Sequence, residues 1–73
     1  MMICAESTEK IVTVNGVQAR IWEGETESGI PVILLVTRIA VIEGVDQEQF
    51  KRELQECRPP SAAAEAMSLR MIL

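Results

Sequence analysis

Apolar and polar positions divide the first part of the chain into three short runs separated by two breaks. Lys10-Ile11-Val12-Thr13-Val14 is followed by Asn15-Gly16, and Val17 to Glu23 by the polar stretch Gly24-Glu25-Thr26-Glu27-Ser28-Gly29. Ile30 to Ile42 is then apolar at odd and even positions alike. β-Branched runs bounded by Asn and Gly predict strands joined as hairpins. Asn-Gly between two valines is the strongest of these signals, because a type I′ turn needs positive φ at both of its central residues. That turn sets Val14 against Val17, Thr13 against Gln18, Val12 against Ala19 and Lys10 against Ile21. Side chains alternate along a strand, so Val12, Val14, Val17, Ala19 and Ile21 share one face. Ile11, Thr13, Gln18, Arg20 and Trp22 share the other. The first is a core face and the second is mixed.

Glycines at both ends of the Gly24–Gly29 stretch predict that the chain reverses there. Placing Glu23 opposite Ile30 pairs Ile21 with Val32, Ala19 with Leu34 and Val17 with Val36. The core face then continues through Val32, Leu34, Val36, Ala40 and Ile42. Ile33, Leu35, Thr37, Ile39 and Val41 join the Trp22 face.

Glu43-Gly44 ends this run, and several helix signals follow. Asp46 is a good N-cap with Gln49 three residues on, and Val45 and Phe50 are spaced as a hydrophobic staple. Phe50, Leu54 and Cys57 form a narrow apolar stripe, Lys51, Arg52, Glu53 and Glu56 face water, and Pro59-Pro60 stops the helix. Glu48–Arg52 and Arg52–Glu56 are spaced as ion pairs. Ser61 is placed to cap one more helical turn in Ala62–Ala66. Residues 67–73 alternate as a last strand, reached by a right-handed crossover and parallel to the long one. The expected fold is therefore α+β, a single domain over residues 1–73 in the order β-β-β-α-β. It has an antiparallel hairpin sheet, one covering helix and a C-terminal strand. Residues 1–9 are an apolar start followed by Glu6-Ser7-Thr8-Glu9 with no assigned element, in which Met1–Cys4 either adds an edge strand or tucks under the sheet.

The balance of faces points to association. One narrow helix shields the Val12/Val14/Ile21/Leu34 face and leaves Ile11, Ile33, Leu35, Ile39 and Val41 without cover. Each large aliphatic side chain buried is worth ~1.5–3 kcal/mol, so leaving that face in water forfeits much of a small domain's stability. A patch of this kind marks an interaction surface, and a homodimer is expected. The competing reading folds residues 1–9 or the Ala62–Ala66 turn over the same face.

Composition sharpens this picture mostly by exclusion. A 73-residue chain is near the lower limit for folding alone and needs disulfides, a metal or oligomerisation to supplement its core. Two cysteines, Cys4 and Cys57, are too few for a disulfide framework, and the start of the chain lacks the pattern of a signal peptide. The apolar run after Pro31 is too short to span a bilayer and is interrupted by Arg38. A cytoplasmic protein with reduced, largely buried cysteines is expected. Eleven acids against seven bases give a net charge of −4, with no Lys/Arg cluster, which argues against nucleic acid as a partner.

The absence of histidine excludes a Ser-His-Asp triad, a Cys-His pair and imidazole ligation of zinc. No glycine-rich phosphate loop is present. Glu23, Glu25 and Glu27 alternate, but without the spacing of a calcium loop, and are read as a solvated hairpin tip. Neither a cofactor nor a metal is expected, and the chain is not expected to be an enzyme. The most suggestive polar group is Trp22 with Arg20, Gln18 and Thr13, a composition suited to a protein-interface hot spot or a stacking platform. The alternative is that Trp22 caps the edge of the association core, stacked on Pro31. Arg38 needs a carboxylate or an outlet to solvent.

Ala19-Arg20-Ile21-Trp22-Glu23-Gly24, Thr26-Glu27-Ser28-Gly29, and the segment from Arg58-Pro59-Pro60-Ser61 to Leu69-Arg70-Met71-Ile72-Leu73 resemble small uncharacterised proteins of bacterial prophages and mobile elements. No catalytic residue carries over from that resemblance. It implies an accessory protein that acts by binding a host protein. The leading expectation is thus a non-enzymatic, self-associating binding module. Its expected interface comprises Trp22, Arg20, Gln18, Ile33, Leu35, Ile39, Val41 and Arg70. The alternative is a small-molecule or nucleotide binder with a pocket between protomers around Trp22, Arg20 and Arg70.

Overall fold

Two successive hairpins make a three-stranded antiparallel sheet in the order β1-β2-β3. A computed structural model of the chain describes residues 1–44 and 46–66. The strands are β1 (Ile3–Val14), β2 (Val17–Thr26) and β3 (Pro31–Val36), followed by helices α1 (Gln47–Leu54) and α2 (Ala62–Glu65). The architecture is α+β. The strand expected at residues 67–73, with Arg70 on it, and the contribution of Val45 to a helix staple lie outside the described residues. Among the described residues no helix is long and apolar enough to cross a membrane.

The first turn forms as its residues require, with φ of 50° at Asn15 and 80° at Gly16. Val14, Thr13 and Val12 stand opposite Val17, Gln18 and Ala19. Regular pairing then breaks. Ile11 faces Arg20 and Ser7 faces Trp22, so Thr8, Glu9 and Lys10 together bulge against Ile21. Lys10 is therefore not the plain partner of Ile21. Thr8 is fully buried in the bulge, and its Oγ1 donates to the Ile21 carbonyl at 2.7 Å. Beyond the bulge β1 continues to Ile3, so Ile3 and Cys4 belong to an edge strand rather than tucking under the sheet.

The second hairpin corrects the expected register. Ile21 stands opposite Leu35, not Val32, and Trp22 opposite Leu34. This slip is odd in residue number, so every β3 side chain changes face. Ile33 and Leu35 lie with Ile21 and Glu23, whereas Val32, Leu34 and Val36 lie with Trp22 and Arg20. The cause is that β2 runs on through Gly24 and Glu25 to Thr26, and the chain reverses at Glu27–Ile30. Thr26 organises this reversal, accepting from the Gly29 N–H at 2.9 Å and from the Ile30 N–H through Oγ1 at 3.1 Å. Gly29 has φ of 87°, as a turn glycine should. Gly24 serves another purpose: a Cβ there would sit 2.7 Å from Ala5 Cα and collide with the Cys4 carbonyl. It is a glycine of close approach between strands.

The helices lie on opposite faces of the sheet. Asp46 caps α1, accepting from the N–H groups of Glu48 and Gln49. The helix ends at Leu54, so Cys57 and Glu56 are past it and the expected stripe stops short. Of the charged pairs on α1, Lys51–Glu48 forms at 3.6 Å, whereas Arg52–Glu56 has no helix to span. The chain after α1 runs along the outer edge of β1. There Arg58 N–H donates to the Ser7 carbonyl at 3.2 Å, and Glu9 N–H donates to the Arg58 carbonyl at 2.9 Å. Having passed this edge, Ser61 caps α2 on the Ile21 face, and Lys10 Nζ donates to the carbonyls of Ala64 and Glu65. So α1 borders the Trp22 face and α2, not α1, covers the Ile21 face. The interior is slight: the buried apolar residues among those described are Ala19, Ile21 and Ala64.

The register places a specific demand on Gly24. Gly24→Ala is expected to cost about 1–3 kcal/mol by forcing β1 and β2 apart. Urea denaturation measures this, and an unchanged midpoint would refute the Ala5–Gly24 pairing.

Candidate functional site

Alternate residues of β2 carry one face of the sheet, and their cross-strand neighbours complete it. Ile11, Arg20 and Val36 form one row across the three strands, and Ser7, Trp22 and Leu34 form the next. The segment following β3 brings Arg38 and Ile39 to this face, and the end of α1 brings Leu54. With Ser7, Ile11, Arg20, Trp22 and Val36 they line a groove of about 280 Å³. Trp22 and Arg20 are half-buried in it, while Ile11, Ile39 and Leu54 remain 53%, 43% and 41% exposed. Three separated segments thus present large apolar side chains to solvent around one tryptophan.

Arg20 is held by the bulge. Its Nη1 donates to the Thr8 carbonyl at 2.8 Å and lies 3.7 Å from Cys57 Sγ. The guanidinium is thereby laid along the sheet, with its partner a backbone dipole rather than a carboxylate. Ser7 Oγ donates to the Glu56 carbonyl at 3.0 Å, which ties the segment after α1 to the same row. Arg38 is exposed, having taken the outlet to solvent.

Of the residues expected at an interface, Trp22, Arg20, Gln18 and Ile39 come together here. Ile33 and Leu35 do not, because the register slip moves them to the Ile21 face, where both are half-buried. Val41 lies beyond the end of β3, which stops at Val36, and does not line the groove. Arg70 is outside the described residues. Ile11, Val36 and Leu54 take the vacated places. Pro31 stands opposite Glu25, so it is no partner for Trp22; Leu34 is.

Glu23 is the residue whose role sequence reasoning missed. Instead of lying at a solvated tip, it is inside β2 with its side chain only 13% exposed. Its carboxylate accepts from the Ser61 hydroxyl and from the Ser61 N–H, the latter at 3.1 Å. Arg58 Nη2 approaches it at 3.3 Å, while Arg58 Nε approaches Glu6 at 3.4 Å. The Ser61 hydroxyl and then its N–H hold the Glu23 carboxyl below the usual range; burial opposes this, and Arg58 reinforces it. The group fastens α2 to the sheet. Its position on the odd face beside Ile21, with Ser61 far along the chain as a free donor, was the available signal.

Cys4 is exposed and Cys57 half-buried, both as free thiols, so the expectation of two largely buried cysteines fails at Cys4. Among the described residues no three acidic or thiol side chains are placed to share a metal ion. No protein-family model matches the chain, and no curated protein or solved structure does either.

The Glu23 anchor gives stability a defined pH dependence. A carboxyl lowered in the folded state stabilises fully above its ordinary value of 4.5, and the contribution is lost as pH falls through the folded value. Glu23→Gln should therefore be less stable than the parent at neutral pH, with the gap narrowing as pH falls below the ordinary carboxylate range toward the lowered folded value. Urea midpoints measured across that range test it. A gap of constant size would show that the anchor is not ionic.

Proposed function

We propose that the chain is a small, non-enzymatic module that binds protein, itself included, through the Trp22 face of its sheet. The carrying observation is the groove itself, in which Ile11, Ile39 and Leu54 stay substantially exposed around a half-buried tryptophan. Exposed apolar residues scattered singly mean little, but a cluster around tryptophan and arginine has the composition of an interface hot spot. The slight interior supports the same reading. Ile21 is the one large aliphatic side chain fully buried among the described residues, worth ~1.5–3 kcal/mol, and association would add to that burial.

Within this proposal the protein is cytoplasmic and forms a homodimer, and its accessory role toward a host protein follows the resemblance to prophage and mobile-element proteins. The β-β-β-α-β order, completed by a strand at 67–73 that carries Arg70, belongs to the same reading. A nucleotide or other anionic small molecule in the groove is the second reading. It is favoured by one feature, the pairing of Arg20 and Arg38 with Trp22 in a groove with no carboxylate among its lining residues. Thermal-shift measurements with nucleotides separate the two.

Sedimentation equilibrium at micromolar concentration should find the dimer, and Trp22 emission should move to shorter wavelength as it forms. Ile39→Asp or Leu54→Asp, both at exposed positions, should weaken association by about 2 kcal/mol or more while leaving the circular dichroism unchanged. A folded monomer throughout the concentration range would sink the proposal.

A further inference from the structure

We infer that the Trp22 face meets a second copy of itself about a two-fold axis, with the acidic half of each face laid on the basic half of the other. This rests on the self-association reading and adds the arrangement of the two copies. Trp22 divides the face by charge. On the side of β3 its groove holds Arg20 and Arg38 and no carboxylate. On the side of α1's end, a second hollow of about 490 Å³ borders the same tryptophan and holds Glu6, Glu53, Glu56 and Arg58. Arg58 is already engaged by Glu23 and Glu6. Glu53, Glu56 and Arg38 form no ion pair among the described residues, and Arg20 spends its Nη1 on the Thr8 carbonyl.

A basic foreign partner would satisfy only the α1 side, and an acidic one only the β3 side. A second copy supplies both complements at once. An isologous interface brings residue i of one protomer to residue j of the other, and j to i, so a face split into opposite charges about its centre is complementary to itself. Rotation about an axis near Trp22 sets Arg38 of each protomer over Glu53 and Glu56 of the other. The exposed Ile11, Ile39 and Leu54 then close around the paired tryptophans. The apolar centre supplies affinity, and the charges set register and orientation.

Charge exchange tests this on the full chain. Arg38→Glu alone, and Glu53→Lys with Glu56→Lys alone, should each weaken the homodimer at least about tenfold, since both symmetric contacts become repulsive. An equimolar mixture of the two variants should associate as tightly as the parent, because both contacts are attractive in the heterodimer. All three substitutions in one chain should likewise restore the homodimer. The three positions are exposed, so circular dichroism should not change. If the parent dimerises but the variants associate equally well, or the mixture no better than its components, the two-fold charge pairing is overturned and self-association stands. A parent that stays a folded monomer at micromolar concentration overturns both.

Discussion

The carboxylate of Glu23 decides where the second half of the chain lies. It sits on the central strand, beside Ile21, where an unpaired charge would be costly. Ser61 answers it twice, by hydroxyl and by N–H, and Arg58 adds a cation. These partners come from a segment that must pass the outer edge of β1 to reach it. The passage places α2 on the Ile21 face, and leaves α1, earlier in the chain, beside Trp22. Lys10 completes the fastening at the other end of α2 by donating to its last carbonyls, where a cation also complements the helix end. A helix of four residues has little stability of its own, so these polar contacts matter more than helix propensity.

The cost of the arrangement is a sheet with unequal cover. The Ile21 face receives Ala64 and the Glu23 anchor, and Thr8 is buried with its hydroxyl satisfied. Among the described residues the Trp22 face receives the segment after β3 and the end of α1, none of whose residues is buried. What protects that face within the monomer is a set of backbone ties at its margin, from Ser7 to Glu56 and from Arg20 to Thr8. Such ties fix positions without removing apolar surface from water. The groove is thus rigidly framed and apolar at the same time, which lowers the ordering cost when it is filled.

Features governed by neighbouring residues were legible in the sequence. Asn15-Gly16 specifies its turn, Asp46 and Ser61 each cap the helix that follows, and the alternation from Val12 to Trp22 assigns both faces of the first hairpin correctly. Features governed by distant residues were not. Gly24 has the appearance of a turn glycine, and only the approach of Cys4 and Ala5 shows that it belongs inside a strand. Reading it as the turn moved the reversal too early and exchanged the faces of β3, taking Ile33 and Leu35 to the wrong side. The bulge at Thr8 is equally silent, since it depends on Arg20 and Ile21 across the sheet. Trp22, Arg20 and Gln18 share a face as expected, because they lie on the hairpin whose register was locally specified. The outer members of the expected set changed.

β2 carries the interior and the site on alternate residues. Ala19, Ile21 and Glu23 face inward, and Gln18, Arg20 and Trp22 face the groove. The interior and the Trp22 face are therefore coupled through one strand, because the backbone that seats Ile21 is the backbone that aims Trp22. With so few of the described residues buried, a partner that binds only the folded chain would add RT ln(1 + [L]/Kd) to its stability. For a self-associating chain that ligand is the protein itself. The stability of such a chain rises with its own concentration, and under the proposed association a substitution in the groove would be felt as a loss of fold stability as well as of binding. Changes at the Glu23 anchor act in the other direction, since loosening α2 disturbs the strand from which Trp22 projects.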